Sequence, residues 1–336
     1  MKMRFEITGD SCYLFDYNTG TNITIEKVPF FMREKGPNLL DVSITNRCNK
    51  CCDFCYRKST NVGQDIELED YKLILDNAKD CGVQQIAIGG GEPTLHPQFC
   101  DILKLTRENG IIPNYSTNGE NLTQDILYYT KKYCGAIAVS IYDDISEYEK
   151  LINKLVEYKI KINLHFILRA DKIENYIHIL KNSPYWFEHI NALIFLNYKP
   201  ANGDDSLCFK NCPTDVICKF FDAVKSYTVC GGGVDTCSVP FICKYLDVNS
   251  SLYDYCESGR KSAYINEKLD VYPCSFYYSV GDSLKSNSLK NIWIESTNFI
   301  AHRKSLEFRN CKCEKIDVCR SGCPIYKISP CDECKT

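Results

Sequence analysis

Short apolar runs alternate with amphipathic helical patterns from residue 39 to residue 197, and this alternation limits the chain to one class of fold. It predicts parallel strands joined by crossover helices. The predicted strands are 39–45, 85–89, 111–117, 135–141, 161–168 and 192–197. The predicted helices are 67–80, 98–108, 123–133, 146–159 and 173–181, where apolar residues return every three to four positions. Six such units predict an α/β fold with a partial (β/α)6 barrel, not a closed eight-stranded one.

The segments on either side of this alternation differ from it in pattern. Residues 1–38 form a hairpin-like extension, in which 12–17 and 21–28 alternate apolar and polar residues around a turn at 18–20. After one further helical pattern at 214–227, the chain becomes rich in Cys, Gly, Ser and Tyr, and a glycine run at 231–233 marks a flexible joint. The sequence therefore predicts an extension at 1–38, a barrel at 39–233 and a small cysteine-rich α+β domain at 234–336.

The cysteine content is informative because of the compartment that the sequence indicates. The chain has 22 cysteines among 336 residues and a formal net charge of -3. No apolar run reaches the roughly 18 residues of a membrane span, and the N-terminus lacks a secretory signal pattern. We therefore expect a cytoplasmic protein with reduced thiols, no membrane association and no nucleic-acid partner. Clustered cysteines in such a protein favour metal or iron–sulfur ligation.

Three of these cysteines lie directly after the first predicted strand. Cys48, Cys52 and Cys55 have the spacing Cys-x3-Cys-x2-Cys, in a loop where parallel α/β folds place their chemistry. Three thiolates can hold three irons of a [4Fe–4S] cube and leave the fourth iron open, as a catalytic site requires. The alternative is a zinc site, which the additional Cys51 would make possible.

The motif that includes Phe54 resembles the signature of the radical S-adenosylmethionine (SAM) superfamily, in which an aromatic residue precedes the last cysteine. The run Gly90-Gly91-Glu92 at the end of the second strand is similar to that family's motif for the SAM amino group. The resemblance implies that the three cysteines are catalytic and that SAM contacts come from Phe54, Tyr56, Gly90, Gly91, Glu92, Thr117, Asn118, Ser140 and Leu168. Many relatives also have an arginine after the fourth strand, but residues 142–149 contain none.

A second group of cysteines lies in the last hundred residues. Its spacing resembles the SPASM domain, which carries auxiliary iron–sulfur clusters, although Leu269 stands where that pattern has glycine. The resemblance implies one auxiliary [4Fe–4S] cluster on Cys256, Cys274 and Cys323, with Cys243, Cys237 or an open position as the fourth ligand. It implies a second on Cys311, Cys313, Cys319 and either Cys331 or Cys334. Zinc is the alternative here too.

Together the two resemblances imply a radical SAM enzyme that modifies peptides. Its clusters and SAM would generate a 5′-deoxyadenosyl radical that abstracts hydrogen from a peptide residue, giving a thioether or carbon–carbon crosslink or an epimerised residue. The expected partners are a peptide or protein substrate with a leader, and an electron donor such as flavodoxin or ferredoxin. Three alternatives stay open: a formylglycine-forming sulfatase maturase, a small-molecule radical SAM enzyme, and a zinc-binding interaction protein without catalysis.

Overall fold

The computed structural model describes residues 3–8, 11–17, 22–25, 32–142, 144–246, 248–250, 253–277, 279–307 and 311–331. The strands are β1 Met3–Thr8, β2 Ser11–Asp16, β3 Asn22–Ile25, β4 Leu39–Thr45, β5 Gln85–Gly90, β6 Ile112–Thr117, β7 Ile137–Ile141, β8 Ile162–Leu168, β9 Ala192–Asn197, β10 Gly231–Val234, β11 Ser262–Ile265, β12 Asp270–Tyr272 and β13 Asp282–Ser283. The α-helices are α1 Leu68–Asp80, α2 Phe99–Glu108, α3 Gln124–Tyr133, α4 Glu149–Glu157, α5 Ile173–Lys181, α6 Thr214–Ser226, α7 Val239–Tyr245, α8 Leu289–Glu295, α9 Thr297–Glu307 and α10 Ile316–Cys319. Short 3-10 helices lie at Pro93–Leu95, Ile145–Tyr148, Ala170–Lys172, Tyr185–His189, Phe209–Asn211 and Thr236–Ser238.

The chain divides into two compact units, and both are discontinuous in sequence. The first contains Met1–Cys51, Arg57–Ile137 and Glu257–Glu307; the second contains Cys52–Tyr56, Ala138–Cys256 and Phe308–Thr336. The domain boundaries that the sequence indicates, after residues 38 and 233, stay a prediction. Among the residues that the structure describes, no helix has the length and apolar character needed to cross a membrane.

In the first unit, β4 lies inside a sheet with the strand order β6-β5-β4-β11-β12-β13. β4, β5 and β6 are parallel, and Leu40 of β4 lies opposite Ile86 of β5. β11 continues the sheet in parallel on the other side of β4, with Ala263 opposite Leu40, and β12 and β13 follow in antiparallel. Leu40, Val42, Ile86 and Ile88 are buried, which gives the sheet an apolar face for its helices.

The helices of this unit cover that face with the residues that their periodicity selects. α1 buries Tyr71, Ile74, Leu75 and Ala78, all on one side of the helix. The Tyr71 hydroxyl lies 2.6 Å from Thr106 Oγ1 of α2 and so links the two helices inside the core. Parallel strands that alternate with amphipathic helices confirm the predicted α/β class.

A separate three-stranded antiparallel sheet, with the order β1-β2-β3, forms from the N-terminal extension. The sequence predicts only the hairpin of β2 and β3, and β1 is an additional strand paired to β2. One face of this sheet carries five exposed apolar side chains on its two outer strands. Their exposed fractions are 40% for Met3, 61% for Phe5, 69% for Ile7, 49% for Ile23 and 62% for Ile25.

In the second unit the strand order is β10-β9-β8-β7. β8 and β9 are parallel, and Phe166 lies opposite Phe195 with their rings stacked at a centroid distance of 5.3 Å. Phe195 also contacts Phe220 of α6 edge-on at 5.1 Å. Alternate residues of both strands are buried, so one side of the sheet packs on helices and the other carries the partly exposed His165 and Ile194.

The glycine run that the sequence interprets as a flexible joint forms β10 instead. Gly231 pairs in parallel with Ala192 of β9. A Cβ atom at Gly231 would come within 2.9 Å of the Asn191 carbonyl oxygen, closer than real Cβ contacts allow. The missing side chain therefore permits a close strand approach, and this outweighs the low strand propensity of glycine.

Leu269 has a left-handed backbone conformation, with φ = 68°, and its side chain is fully buried. It closes the turn between β11 and β12, where its N–H donates to the Asn266 carbonyl at 3.0 Å. This is the position at which the resembling pattern has glycine. The left-handed conformation costs a residue with a Cβ atom about 1–2 kcal/mol, and burial of the leucine offsets that cost.

We therefore expect Leu269→Gly to be more stable than Leu269→Ala by about 1 kcal/mol, the reverse of the usual order. Both variants lose the same buried contacts, at a cost of about 2–5 kcal/mol, but only alanine keeps the strained Cβ atom. Urea unfolding of the reconstituted protein measures the difference. The buried Leu284, whose φ is negative, is the control position, where glycine should be the less stable replacement. If the same replacement, glycine or alanine, were the more stable one at both Leu269 and Leu284, the prediction would be contradicted.

Candidate active site

The loop that carries the first cysteine group begins in the first unit with an ion-paired anchor. Arg47 donates to Asp65 at 3.0 and 2.6 Å, and Thr45 Oγ1 donates to the same carboxylate at 2.6 Å. Burial opposes ionisation of Asp65, but these hydrogen bonds prevail and lower its pKa. The Cys48 N–H donates to the Thr60 carbonyl at 2.6 Å, and the Cys48 sulfur accepts from the Lys50 N–H at 3.4 Å. The backbone around Cys48 is therefore fixed on both sides.

The other two cysteines of the motif, Cys52 and Cys55, belong to the second unit. The Cys55 N–H donates to the Cys52 carbonyl at 3.1 Å, so the two residues are joined by a tight turn. Both thiols are partly exposed, and Cys51 beside them is exposed. Tyr56 is half-buried in the same turn.

Phe54 contacts both an aromatic ring and a cation. Its ring stacks on Tyr142 at a centroid distance of 5.7 Å, and the Arg169 guanidinium lies 5.4 Å from its centroid. Arg169 also pairs with Asp171 at 2.9 Å and with Asp53 at 3.3 Å. The hydrogen bond to Asp171 is the largest cause that raises the Arg169 pKa. Sequence reasoning missed this arginine, although its position directly after β8 is the strand-end signal that identified the other candidates.

The Gly90-Gly91-Glu92 motif packs its backbone against the beginning of the cysteine loop. The N–H groups of Gly91 and Glu92 donate to the carbonyls of Thr45 and Arg47, each at 2.8 Å. Gly90 has φ = 121°, and a Cβ atom there would lie 2.1 Å from the Thr45 carbonyl oxygen. Gly89 differs, since a Cβ atom there would meet nothing within 4 Å. The strand end therefore combines close backbone packing with an open face on which a ligand could lie.

Glu92 is the centre of a buried hydrogen-bond network. Its Oε1 accepts from Thr94 N at 3.2 Å, Thr94 Oγ1 at 2.7 Å and Thr117 Oγ1 at 2.8 Å, and its Oε2 accepts from Asn118 N at 2.7 Å. Burial raises the Glu92 pKa, and these hydrogen bonds oppose that rise. The structure thus brings together three residues that the sequence selects separately: Glu92, Thr117 and Asn118.

Asn118 connects this network to the cysteine loop. Its Nδ2 donates to Asn49 Oδ1 at 2.8 Å, and Asn49 donates in turn to Glu120 at 2.6 Å. Glu120 also pairs with Lys50 at 3.0 Å. The carboxyl end of β6 and the loop residues Asn49 and Lys50 are therefore held in one polar network.

The remaining sequence-selected residues of the barrel lie in the second unit. Ser140 is half-buried on β7. The Leu168 side chain is fully buried, and its carbonyl accepts from the Tyr198 N–H at 3.3 Å. Leu168 therefore offers only a limited backbone surface to any ligand.

Asp41 is a partly buried carboxylate that sequence reasoning missed. It lies on β4, opposite Ala87 on one side and Tyr264 on the other. Burial, and secondarily the charge of Glu257, raises its pKa to about 6. The sequence signal was available, because Asp41 is the charged residue of a strand whose other members are apolar or hydroxyl residues.

Asp41 should make the stability of the protein fall as pH rises. Its pKa is higher in the folded chain, so the stabilisation from its proton is present below about pH 4 and is lost as pH rises to 6. Asp41→Asn should then raise the free energy of unfolding at pH 8 by at most about 3 kcal/mol, with a smaller gain at pH 5. Urea titrations at both pH values test this, with the exposed Asp76→Asn as control. A gain independent of pH would contradict it.

The C-terminal cysteines form two thiol pairs in the second unit. Cys237 and Cys323 are joined by a hydrogen bond between their side chains, which lowers the Cys323 pKa. Cys243 and Cys319 are joined in the same way, and this bond is the largest cause that lowers the Cys243 pKa to about 6. The sequence left Cys237 as one of several options, and the structure places it beside Cys323.

The other C-terminal thiols are divided between the two units. Cys256 is buried in the second unit, and Cys274 of the first unit accepts from the Phe276 N–H at 3.5 Å. The Cys311 sulfur accepts from the N–H of the exposed Cys313 at 3.4 Å, and Cys331 is partly exposed. Cys334 lies outside the described residues. Within the described ranges, no three or more His, Cys, Asp or Glu side chains form a group arranged for a metal ion.

A buried ion pair lies close to the first of these thiol pairs. Lys199 Nζ donates to Asp235 Oδ2 at 3.1 Å and to the Asn197 carbonyl at 3.0 Å. Burial opposes the charge of Lys199, but Asp235, Cys237 and Cys323 raise its pKa. Lys199 follows β9 and Asp235 follows β10. Their position at strand ends is therefore the sequence feature that could have identified them.

Two family descriptions match the chain. The Radical SAM superfamily matches residues 42–182, and the iron-sulfur cluster-binding domain SPASM matches residues 256–324. The chain is a radical SAM enzyme with a SPASM domain. Radical SAM domains bind a [4Fe–4S] cluster and SAM, and SPASM is an iron-sulfur cluster-binding domain, so both predicted cofactors are confirmed.

Curated relatives of this radical SAM enzyme have different activities. It is 36% identical over 91 residues to the tungsten-containing aldehyde ferredoxin oxidoreductase cofactor-modifying protein of Pyrococcus furiosus, which covers 26% of each protein. It is 30% identical over 108 residues to the GTP 3′,8-cyclase of Pasteurella multocida, which covers 30% of this chain and 32% of the cyclase. The matches thus span only about a quarter to a third of these relatives.

Solved structures match the radical SAM enzyme over most of its length. Streptococcus suis SuiB bound to precursor peptide SuiA matches 90% of this chain and 76% of its own, with a TM-score of 0.69 and 19% identity. Native anSMEcpe with bound AdoMet and Cp18Cys peptide matches 85% of this chain and 89% of its own, with a TM-score of 0.60 and 17% identity. At these sequence identities the two comparisons show a shared fold and assign no activity to this chain.

The residues present fit the implied cofactors. Glu92 Oε2 accepts one hydrogen bond from the described residues, and a carboxylate oxygen can accept two, so an ammonium group can bind there. The open face at Gly89 gives such a ligand room beside the strand. The paired thiols are the soft donors that iron–sulfur clusters require.

Proposed function

We propose that this radical SAM enzyme is a peptide or protein maturase. The observation that carries the proposal is the fold likeness over 90% of the chain to SuiB in complex with its precursor peptide. That likeness extends over most of the chain, whereas the match to GTP 3′,8-cyclase covers 30% of it. The expected product is a thioether crosslink, a carbon–carbon crosslink or an epimerised residue.

The proposed site assigns one task to each group of residues. Cys48, Cys52 and Cys55 would hold three irons of the SAM-binding cluster, and that cluster would supply the electron for cleavage of SAM to methionine and a 5′-deoxyadenosyl radical. Glu92 binds the SAM ammonium with the neighbouring Gly90 and Gly91 backbone. Thr117 and Asn118 hold the Glu92 carboxylate in place by the hydrogen bonds described above.

Phe54 provides the aromatic surface beside the adenine. Its contacts with Tyr142 and Arg169 hold the ring in one orientation. Tyr56, Ser140 and the Leu168 backbone complete the proposed SAM contacts in the second unit. Arg169 supplies positive charge on this side, where residues 142–149 have no arginine.

A crosslinking reaction removes two hydrogens from the peptide. One leaves as a hydrogen atom and becomes part of 5′-deoxyadenosine, and the other leaves as a proton and an electron. The proton would go to solvent or a base, and an auxiliary cluster would accept the electron. We propose that Cys256, Cys274 and Cys323 hold one auxiliary cluster, and that Cys311, Cys313 and Cys319, with Cys331 or Cys334, supply ligands for a second.

The partners in this proposal are a peptide substrate with a leader and a low-potential electron donor such as flavodoxin or ferredoxin. We place the reaction in the cytoplasm, because thiolate ligands have to stay reduced. A small-molecule reaction is the second candidate, favoured by the resemblance to GTP 3′,8-cyclase. Formylglycine formation on a sulfatase would be a variant of the first candidate.

The test combines purified enzyme with candidate substrates under anaerobic conditions. Reconstituted enzyme, SAM and dithionite are incubated with each short peptide encoded beside the gene, and separately with GTP. Peptide maturation predicts that one peptide increases 5′-deoxyadenosine formation and loses 2 Da, or gains deuterium in D2O if it is epimerised. Stimulation by GTP and by none of the peptides would reject the proposal in favour of the second candidate.

A further inference from the structure

The two thiol pairs of the second unit lie in different parts of its core. Cys237 and Cys323 both pack against a buried cluster formed by Tyr198, Cys208 and Ile328. Cys243 and Cys319 instead belong to a second cluster, which includes Val239 and is bordered by Tyr253. The pairs therefore occupy two separate sites, each with one partner upstream of the SPASM domain and one inside it.

Helix geometry keeps the two upstream cysteines apart. Cys237 lies in the 3-10 turn that leads into α7, and Cys243 lies six residues later in that helix. Six helical residues correspond to a rise of about 9 Å and a rotation of about 240°. The two side chains consequently leave the helix on different sides, and a single compact cluster is a poor fit for both.

The two downstream cysteines are separated by an unusual turn. Cys319 ends α10, and Arg320, Ser321 and Gly322 follow with φ values of 46°, 56° and 75°. Consecutive left-handed residues that carry a Cβ atom are costly and persist where surrounding contacts hold them. Here the turn packs so closely against α7 that a Cβ atom at Gly322 would lie 2.6 Å from Pro240 Cγ. It directs Cys319 and Cys323 toward different partners.

Lys199 lies near the first of the two sites. Its Nζ pairs at 3.1 Å with Asp235, two residues before Cys237. Cys237 packs against the same buried side chains as Cys323, a sequence-selected ligand of the first auxiliary cluster. Cys243 instead contacts Tyr253 and Cys319.

We propose that Cys237 is the fourth protein ligand of the first auxiliary cluster, and that Cys243 is a ligand of the second auxiliary cluster beside Cys319. The second cluster then takes its other two ligands from among Cys311, Cys313, Cys331 and Cys334. The choice between Cys237 and Cys243, which the spacing leaves open, is thereby made by the contacts of Cys323 and Cys319. A first auxiliary cluster with four cysteine ligands has no open iron, so it takes the electron from the substrate radical without binding a substrate thiolate. This consequence rests on the proposed function, but the ligand assignment itself does not.

Iron analysis and spectroscopy of single variants test the assignment. Cys237→Ser and Cys243→Ser are made in the Cys48/Cys52/Cys55→Ala background, where only auxiliary clusters remain, about eight irons per chain. Cys243→Ser should reduce the iron content to about half and leave the first-cluster signal in electron paramagnetic resonance unchanged. Cys237→Ser should change the g values and midpoint potential of the first cluster alone. Cys218→Ser on α6 is the matched control and should change neither signal.

Disulfide mapping of the unaltered chain provides a second measurement that does not depend on the folding of variants. Metal-free protein is oxidised with diamide, which takes two hydrogens from each thiol pair, and its peptides are analysed by mass spectrometry. The expected bonds are Cys237–Cys323 and Cys243–Cys319. Predominant Cys243–Cys323 bonds, or a first-cluster signal that responds to Cys243→Ser and not to Cys237→Ser, would overturn the assignment. Neither readout involves a peptide substrate, so failure of the maturase proposal would appear separately.

Discussion

Replacing Cys48, Cys52 and Cys55 together with alanine should reduce SAM cleavage by at least about 1000-fold. The three thiolates are the proposed ligands of the cluster that reduces SAM, and no other residue of the proposed site can deliver that electron. The protein should still fold and keep its auxiliary iron, because the C-terminal thiol pairs do not include these residues. The assay is anaerobic 5′-deoxyadenosine formation with dithionite, together with iron and sulfide analysis.

Cys51→Ala is the matched control for this variant. Cys51 is an exposed thiol of the same loop and has no proposed ligand role, so its replacement should leave SAM cleavage within about twofold of wild type. Full cleavage activity in the triple variant would remove these cysteines from the site. Stoichiometric zinc in wild type, with no SAM cleavage, would instead support the zinc-binding interaction protein.

Glu92→Gln should have the second largest effect and should reduce SAM affinity by about 10- to 100-fold, the equivalent of a charged hydrogen bond of about 1.5–3 kcal/mol. The carboxylate accepts four hydrogen bonds, from Thr94, Thr117 and Asn118. A glutamine would direct its NH2 group at some of these donors and would remove the negative charge that attracts an ammonium. Equilibrium binding of SAM to the reconstituted protein measures the loss.

Glu120→Gln provides the comparison for the glutamate variant. Glu120 is a more exposed carboxylate in the polar network that joins Asn49 and Lys50, and its replacement should change SAM affinity by less than about threefold. A Glu92→Gln protein that binds SAM within threefold of wild type would exclude Glu92 as the ammonium-binding residue.

The parallel strands were predictable because their signal is local. β4 and β9 begin and end where the alternation of apolar residues places them, and β5, β6, β7 and β8 differ from prediction by one or two residues at an end. The predicted helix at 146–159 is divided into a 3-10 turn and α4, since Asp144 caps the turn by accepting from Ser146 N at 2.9 Å. Such boundary details depend on single hydrogen bonds that periodicity does not report.

The parts that sequence reasoning missed are contacts between residues far apart in the chain. Only the fold brings these residues together: Arg169 with Phe54, Lys199 with Asp235, and the members of the two thiol pairs. Strand ends indicated where to search, but not which residues meet. The same limitation explains β10, because nothing in three consecutive glycines reveals that the backbone at Asn191, beside β10, requires the small size of Gly231.

The exposed apolar face of the N-terminal sheet has a consequence for how the sequence can change over time. This face is formed by Met3, Phe5, Ile7, Ile23 and Ile25. Each is at least 40% exposed, so replacement by a polar residue would remove little buried apolar surface from the described part of the N-terminal sheet. Selection for folding alone would let these positions drift toward hydrophilic residues. The apolar character of this face is therefore not explained by the packing of the sheet to which it belongs.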